Sequence, residues 1–306
     1  MGQIQVTRSR LSDWPLWSVA VAIAIWTLAV YTAFEAIQFL SGEKIPFTSP
    51  GVTLAGMLAL DASLVIAVML SARLLEGRVR LAGFGFIRSA TGRRRTVALS
   101  VATWFAFLAF TVAWKQLIPP TEKQNIVEHL GAHESRALWT ATFLMLGIVA
   151  PICEEVFFRG FIFAALWKRL SIVPSAAITG VLFALVHLSA SAKLLVVALG
   201  VFGALLCVLR AMTGSLIPCI AVHSLNNSVS YGVSEHMNAA VVLAMALVAV
   251  ATTVAIGRFL AARAYTQDDG SAPADDGSDG QGLPAGSGTE GTGPGPAAGD
   301  FGSGGS

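Results

Sequence analysis

Charge is scarce in this chain. Lysine, arginine, aspartate and glutamate make up 12% of its 306 residues, while 55% are hydrophobic; ordinary soluble domains carry about a quarter charged residues. A soluble fold has nowhere to bury so much apolar surface. The scarcity therefore excludes an aqueous globular protein and makes lipid the solvent for most of the chain. The mean hydropathy of +0.69 agrees. Cysteine is nearly absent: Cys153, Cys207 and Cys219 lie inside apolar stretches. Their odd number and their spacing fit neither a disulfide framework nor a zinc motif, and they read as small buried hydrophobes. The net charge of +2 gives no footing for nucleic acid, which is not expected as a partner. No small-residue cleavage site follows the first apolar run, so that run reads as an uncleaved span.

What is present is a series of long apolar runs. A bilayer core of ~30 Å needs about 20 apolar residues in a helix. On that measure there are eight candidate helices, near 15–40, 51–74, 96–118, 137–168, 173–190, 194–210, 214–232 and 239–262. The fold expected is all-α, a polytopic membrane bundle of about eight transmembrane helices. The fourth is too long for one simple span and is expected to tilt or to extend past the membrane surface. Residues 1–14 form a short N-terminal lead. The first three helices fall within 15–118 with a basic loop at 75–95, 137–232 holds the polar motifs described next, and 239–262 is the last span. From 267 to 306 the chain is Gly-, Ser-, Pro- and acid-rich and is expected to be a disordered tail.

Basic residues set the orientation. With the N-terminus inside, one side holds Arg8, Arg10, Arg73, Arg78, Arg80, Arg88, Arg93, Arg94, Arg95, Lys168, Arg169, Arg210, Arg258 and Arg263, which is fourteen. The other holds Lys44, Lys115, Lys123, Arg136 and Lys193, which is five. The expectation is a multi-pass cell-membrane protein with both termini cytoplasmic, and the Ala-, Gly- and Arg-rich composition suggests a bacterial source.

An ionisable residue inside a span is costly and marks a functional site by default. Three helices bring ionisable or polar groups: Glu154, Glu155 and Arg159 in PICEEVFFRGF, His187 at the end of FALVH, and His223 with the amides Asn226 and Asn227 in HSLNN. Glu154 lies fourteen residues before Lys168, His187 fourteen after Val173, and His223 thirteen after Arg210. At ~1.5 Å per residue all three stand ~20 Å from the same ends of their helices, so they share one layer. Glu155 and Arg159 are i,i+4, suited to an ion pair, while Glu154 projects about 100° away. His223 and Asn227 are also i,i+4 and share a face. A carboxylate beside an imidazole can take a proton from water, and a second imidazole with an amide can stabilise an oxyanion. Glu154, His187 and His223 are equally the ligand types for zinc with an open position for water. Spacing alone does not separate these two mechanisms.

The residues EEVFFR, FALVH and HSLNN fit the ordered motifs EExxxR, FxxxH and HxxxN. In that order, over residues 137–232, they resemble the CPBP group. This comprises type II CAAX prenyl endopeptidases and the bacteriocin-processing or bacteriocin-immunity proteins also called Abi. The resemblance implies an eight-helix intramembrane endopeptidase acting on a peptide or membrane protein in the bilayer. It implies that Glu154 activates water with help from His187, that His223 and Asn227 stabilise the oxyanion, and that Glu155 and Arg159 support the site. The group has been labelled as metalloproteases. The mechanism favoured here is glutamate-dependent and requires no cofactor, with zinc as the alternative.

Two other functions use the same residues. A non-catalytic scaffold or immunity protein of the same fold would tolerate loss of Glu154. A proton-coupled transporter would also bury Glu, Asp, His and Arg, but would more often show repeats and interrupted helices in both halves. Glu35 and Asp61 also fall inside expected spans, as partners of polar groups or as part of a proton or substrate path. His129 and His133 are i,i+4 beside Glu128 and Glu134, a spacing that could hold a metal but reads first as a solvated loop.

Overall fold

The computed structural model describes residues 12–41, 50–118, 135–188 and 193–269, which belong to one compact unit reaching to Gly270. The expectations for the start of the N-terminal lead, for the His129 and His133 loop and for the tail from 270 lie outside the described residues. Helices are the elements found: α1 Leu16–Ser41, α2 Pro50–Glu76, α3 Leu81–Phe84, α4 Arg93–Leu117, α5 Arg136–Arg169, α6 Ile172–Val186, α7 Lys193–Thr213, α8 Ile217–Ser234 and α9 Ala239–Asp269. No strand occurs among the described residues. In lipid each backbone N–H and C=O must find its partner within its own segment, and a helix does this residue by residue. The fold is an all-α membrane bundle.

Five helices (α2, α4, α5, α7 and α9) are long and apolar enough to cross a bilayer, and shorter apolar helix covers Leu16–Thr32 and Ile172–Val186. The expected span at 214–232 is different. Its helix, α8, carries His223, Ser224, Asn226, Asn227 and Ser228 in place of apolar residues, and it is buried by its neighbours. Helix α6 stops at Val186, four residues before the expected end, so His187 lies just past the last helical residue.

The long fourth run is the axis of the bundle. Of its apolar window 61% is buried inside the protein, against 6% for α4, which faces outward. Phe157, Phe158, Phe161, Ile162 and Phe163 are all within 1% of full burial. A helix apolar on every side belongs in the interior. At 34 residues it would measure about 50 Å as a plain α-helix. It is not plain: Met145–Val149 and Val156–Ile162 are wound as π-helix, with one α-helical stretch, Ala150–Glu155, between them.

Helices α6 and α7 approach closely at glycines. A Cβ on Gly180 would stand 2.5 Å from the Gly200 carbonyl oxygen, and one on Gly203 would stand 3.1 Å from the Gly180 Cα. Small residues of this kind let membrane helices touch backbone to backbone.

The arginine-rich end is tied together by hydrogen bonds. The loop after α3 meets the α7–α8 turn through Ala90 N–H to the Thr213 carbonyl (3.0 Å), Leu216 N–H to the Gly85 carbonyl (2.9 Å) and the Ser215 hydroxyl to the Ile87 carbonyl (2.6 Å). Gly85 has φ +95° and lies against the Arg210 guanidinium, which leaves no room for a side chain. At the same end Arg169 pairs with Asp13 at 3.3 Å. Trp14 is 1% exposed and packs on Phe84 and Phe161, with centroids 5.0 and 4.6 Å apart.

Candidate active site

The α-helical stretch of α5 that carries Glu154 and Glu155 has a proline as its second residue. Pro151 has no N–H, so it cannot serve the carbonyl four residues before it in α winding or five before it in π winding. Those carbonyls belong to Gly147 and Leu146, in the first π segment. Helix α8 supplies the missing donors: the Ser224 hydroxyl bonds to the Gly147 carbonyl, and the Asn227 amide donates to the Leu146 carbonyl at 3.0 Å. The same helix face thereby brings His223 against Glu154 and Glu155. π-Helical turns inside α-helices are frequent at functional sites.

Glu155 and Arg159 are fully buried and paired at 2.7 Å, as their spacing suggests. The guanidinium also donates to the Gly203 carbonyl at 3.0 Å and lies 4.6 Å from the centre of the Phe183 ring, a cation–π contact. Glu155 does more than neutralise Arg159. The same oxygen, Oε1, is 2.8 Å from Nδ1 of His223. This link between the first and third motifs was not foreseen, because i,i+4 spacing explains Glu155 fully without it.

Both histidines are oriented through Nδ1. In His187 that nitrogen is 2.7 Å from the Phe183 carbonyl, which can only accept, so Nδ1 carries the hydrogen. In His223 it faces the Glu155 carboxylate. Each ring therefore turns Nε2 to the same place. His187 Nε2 is 3.8 Å from one oxygen of Glu154, and His223 Nε2 is 3.7 Å from the other. Phe183 and Phe202 hold the rings, with centroids 4.6 Å from His187 for Phe183 and 5.5 Å from His223 for Phe202. Phe183 is the first residue of the FxxxH motif, although no role was read for it, and Phe202 was missed, since a phenylalanine in a span carries no signal of its own.

Glu154, His187, His223 and Asn227 all line one cavity of about 320 Å³. Glu155 and Arg159 stand behind its wall. Asp61 of α2, 3% exposed, lines the same cavity, whereas Glu35 is exposed on α1. The cysteines are unpaired thiols, Cys207 and Cys219 buried and Cys153 half-buried. Glu154, His187 and His223 have the donor types that zinc takes, and each imidazole Nε2 stands 3.7–3.8 Å from a Glu154 oxygen. Among the described residues, no group of three His, Cys, Asp and Glu side chains is spaced to hold a metal ion.

Comparison with known proteins bears on the same segment. Residues 136–229 match the family model of the Type II CAAX prenyl endopeptidase Rce1-like proteins. No curated protein matches the chain, and no solved structure does. The matched segment runs from the first turn of α5 through Asn227 and holds all three motifs. Over that segment the chain is similar to the CAAX protease family.

Proposed function

We propose that the chain is an intramembrane endopeptidase in which Glu154 activates water. The observation that carries this reading is the convergence of two imidazole Nε2 atoms on the two oxygens of one carboxylate, inside a cavity. Gaps of 3.7 and 3.8 Å are too long for direct hydrogen bonds, and apo catalytic sites commonly tighten only when substrate is bound.

The steps follow from the hydrogen-bond inventory. Water in the cavity donates one hydrogen to Glu154 and the other to His187 Nε2. Glu154 takes the proton as the water oxygen attacks the peptide carbonyl carbon. The charge that develops on the carbonyl oxygen is met by His223 and Asn227. His223 donates from Nε2 when doubly protonated, with its Nδ1 hydrogen held by the Glu155 carboxylate. Asn227 uses one amide hydrogen on Leu146 and keeps the second for the oxyanion. The proton held by Glu154 then passes to the leaving amine as the C–N bond breaks. No step is routed through a metal.

The test compares membranes of cells expressing the wild-type chain with those expressing Glu154→Gln, by mass-spectrometric mapping of new peptide termini. The substitution keeps size and hydrogen-bonding capacity and removes the base. Termini found only with wild type are the expected result. Identical profiles from equally abundant proteins would falsify the peptidase reading and leave a scaffold.

A further inference from the structure

The cavity has a floor and a mouth, and they lie toward opposite ends of the bundle. Along α8, exposure rises from His223, which is 3% exposed, through half-buried Asn227 to exposed Ser230 and Ser234. All four residues line the cavity. The floor is apolar and shut: Phe158, Phe183 and Phe202 are each 1% exposed. Beneath it the buried Arg159 is held by Glu155 and the Gly203 carbonyl.

Other helices agree on the direction. The lining residues Asp61 and Leu60 lie in the first half of α2, Leu199 lies near the start of α7, and His187 just follows the end of α6. With the helices joined in up-and-down succession, those ends share one face with the C-terminal end of α8. The opposite face carries Arg73, Arg78, Arg80, the Arg93–Arg95 run, Arg169 and Arg263. An excess of basic residues in short loops marks the cytoplasmic side.

We infer that the site is reached from the extracytoplasmic face, and that its substrate is a peptide segment presented there. This rests on the peptidase reading above. The cavity combines serine hydroxyls at the mouth with Leu60, Leu64 and Leu199 on the walls. That lining suits an extended chain with apolar side chains beside the cut bond.

Single substitutions Ser230→Cys, Ser234→Cys and Arg78→Cys in the full chain test the direction. Each is treated with a membrane-impermeant maleimide that adds a visible mass, in cells with the outer envelope opened and in inside-out vesicles, against the wild-type background. The expected result is a mass shift at positions 230 and 234 from the outside, and at 78 only in inside-out vesicles. The reverse pattern, or no shift at 230 and 234 from either side, overturns the inference. The terminus map from wild type and Glu154→Gln separates the two readings. Termini in extracytoplasmic segments support both, and termini confined to cytoplasmic segments overturn the inference alone. Outward labelling with no new termini removes the peptidase while the direction of access stands.

Discussion

Glu155 shows how one carboxylate can serve two partners. It balances Arg159 and orients His223 while having no exposure of its own. Glu155→Gln leaves the guanidinium buried without a counter-charge, at a cost of about 3–5 kcal/mol, read as a lower midpoint of thermal unfolding in detergent. Arg159→Met added to Glu155→Gln is expected to recover much of that loss, because the uncompensated charge is gone. Ser224 and Asn227 separate stability from catalysis. Ser224→Ala strands the Gly147 carbonyl and costs about 1–3 kcal/mol, with turnover kept in the fraction that stays folded. Asn227→Ala strands the Leu146 carbonyl and also removes an oxyanion donor, so the rate at which wild-type termini accumulate is expected to fall about 10²–10³-fold. The motif residues were visible from their chemistry and shared depth. The Nδ1 partners were not, since a main-chain carbonyl such as that of Phe183 has no signature in sequence.

Helix winding is what aims those residues. With α-helical winding throughout, α5 would need an amide N–H at position 151, and proline denies it. The first π segment and the side-chain donors of α8 accommodate the defect. Pro151→Ala restores an N–H that competes with Ser224 for the Gly147 carbonyl. The expected outcome is a thermal midpoint held or raised, with fewer wild-type-dependent termini, as the turn carrying Glu154 relaxes. Gly180→Ala acts on a different contact, because its Cβ would meet the Gly200 carbonyl oxygen at 2.5 Å. Overpacking of that kind costs about 1–3 kcal/mol and would move α7, whose Gly203 carbonyl receives Arg159. Denaturation in detergent checks the first effect, and loss of termini reports the second. Apolar length made the helices themselves legible, but π winding was not, because i→i+5 bonding depends on what the neighbouring helix supplies.

At the scale of the molecule, two ends of unlike character face two aqueous phases. One is rich in arginine and tied by Ala90, Leu216, Ser215 and Arg169. The other holds the mouth of the cavity. A fluorescent protein fused after Ser306 is expected to fluoresce, and alkaline phosphatase at the same place to stay inactive, if the arginine-rich end is cytoplasmic. The reverse pair of readouts would place that end outside and turn the cavity mouth toward the cytoplasm.

The sequence by itself determined that lipid is the solvent, because no aqueous fold could bury so apolar a chain. It also determined which helices carry chemistry, because lipid penalises every ionisable group that has no task. Matched distances from the helix ends implied that Glu154, His187 and His223 could meet. Tertiary structure alone decided how they meet. Which imidazole nitrogen faces Glu154 depends on the Phe183 carbonyl and on Glu155. Asn227 is anchored by a carbonyl that a proline released on another helix. Which end of the cavity is open depends on three phenylalanines closing the other. These are contacts between residues far apart in the chain, and neither spacing nor hydropathy along one helix contains them.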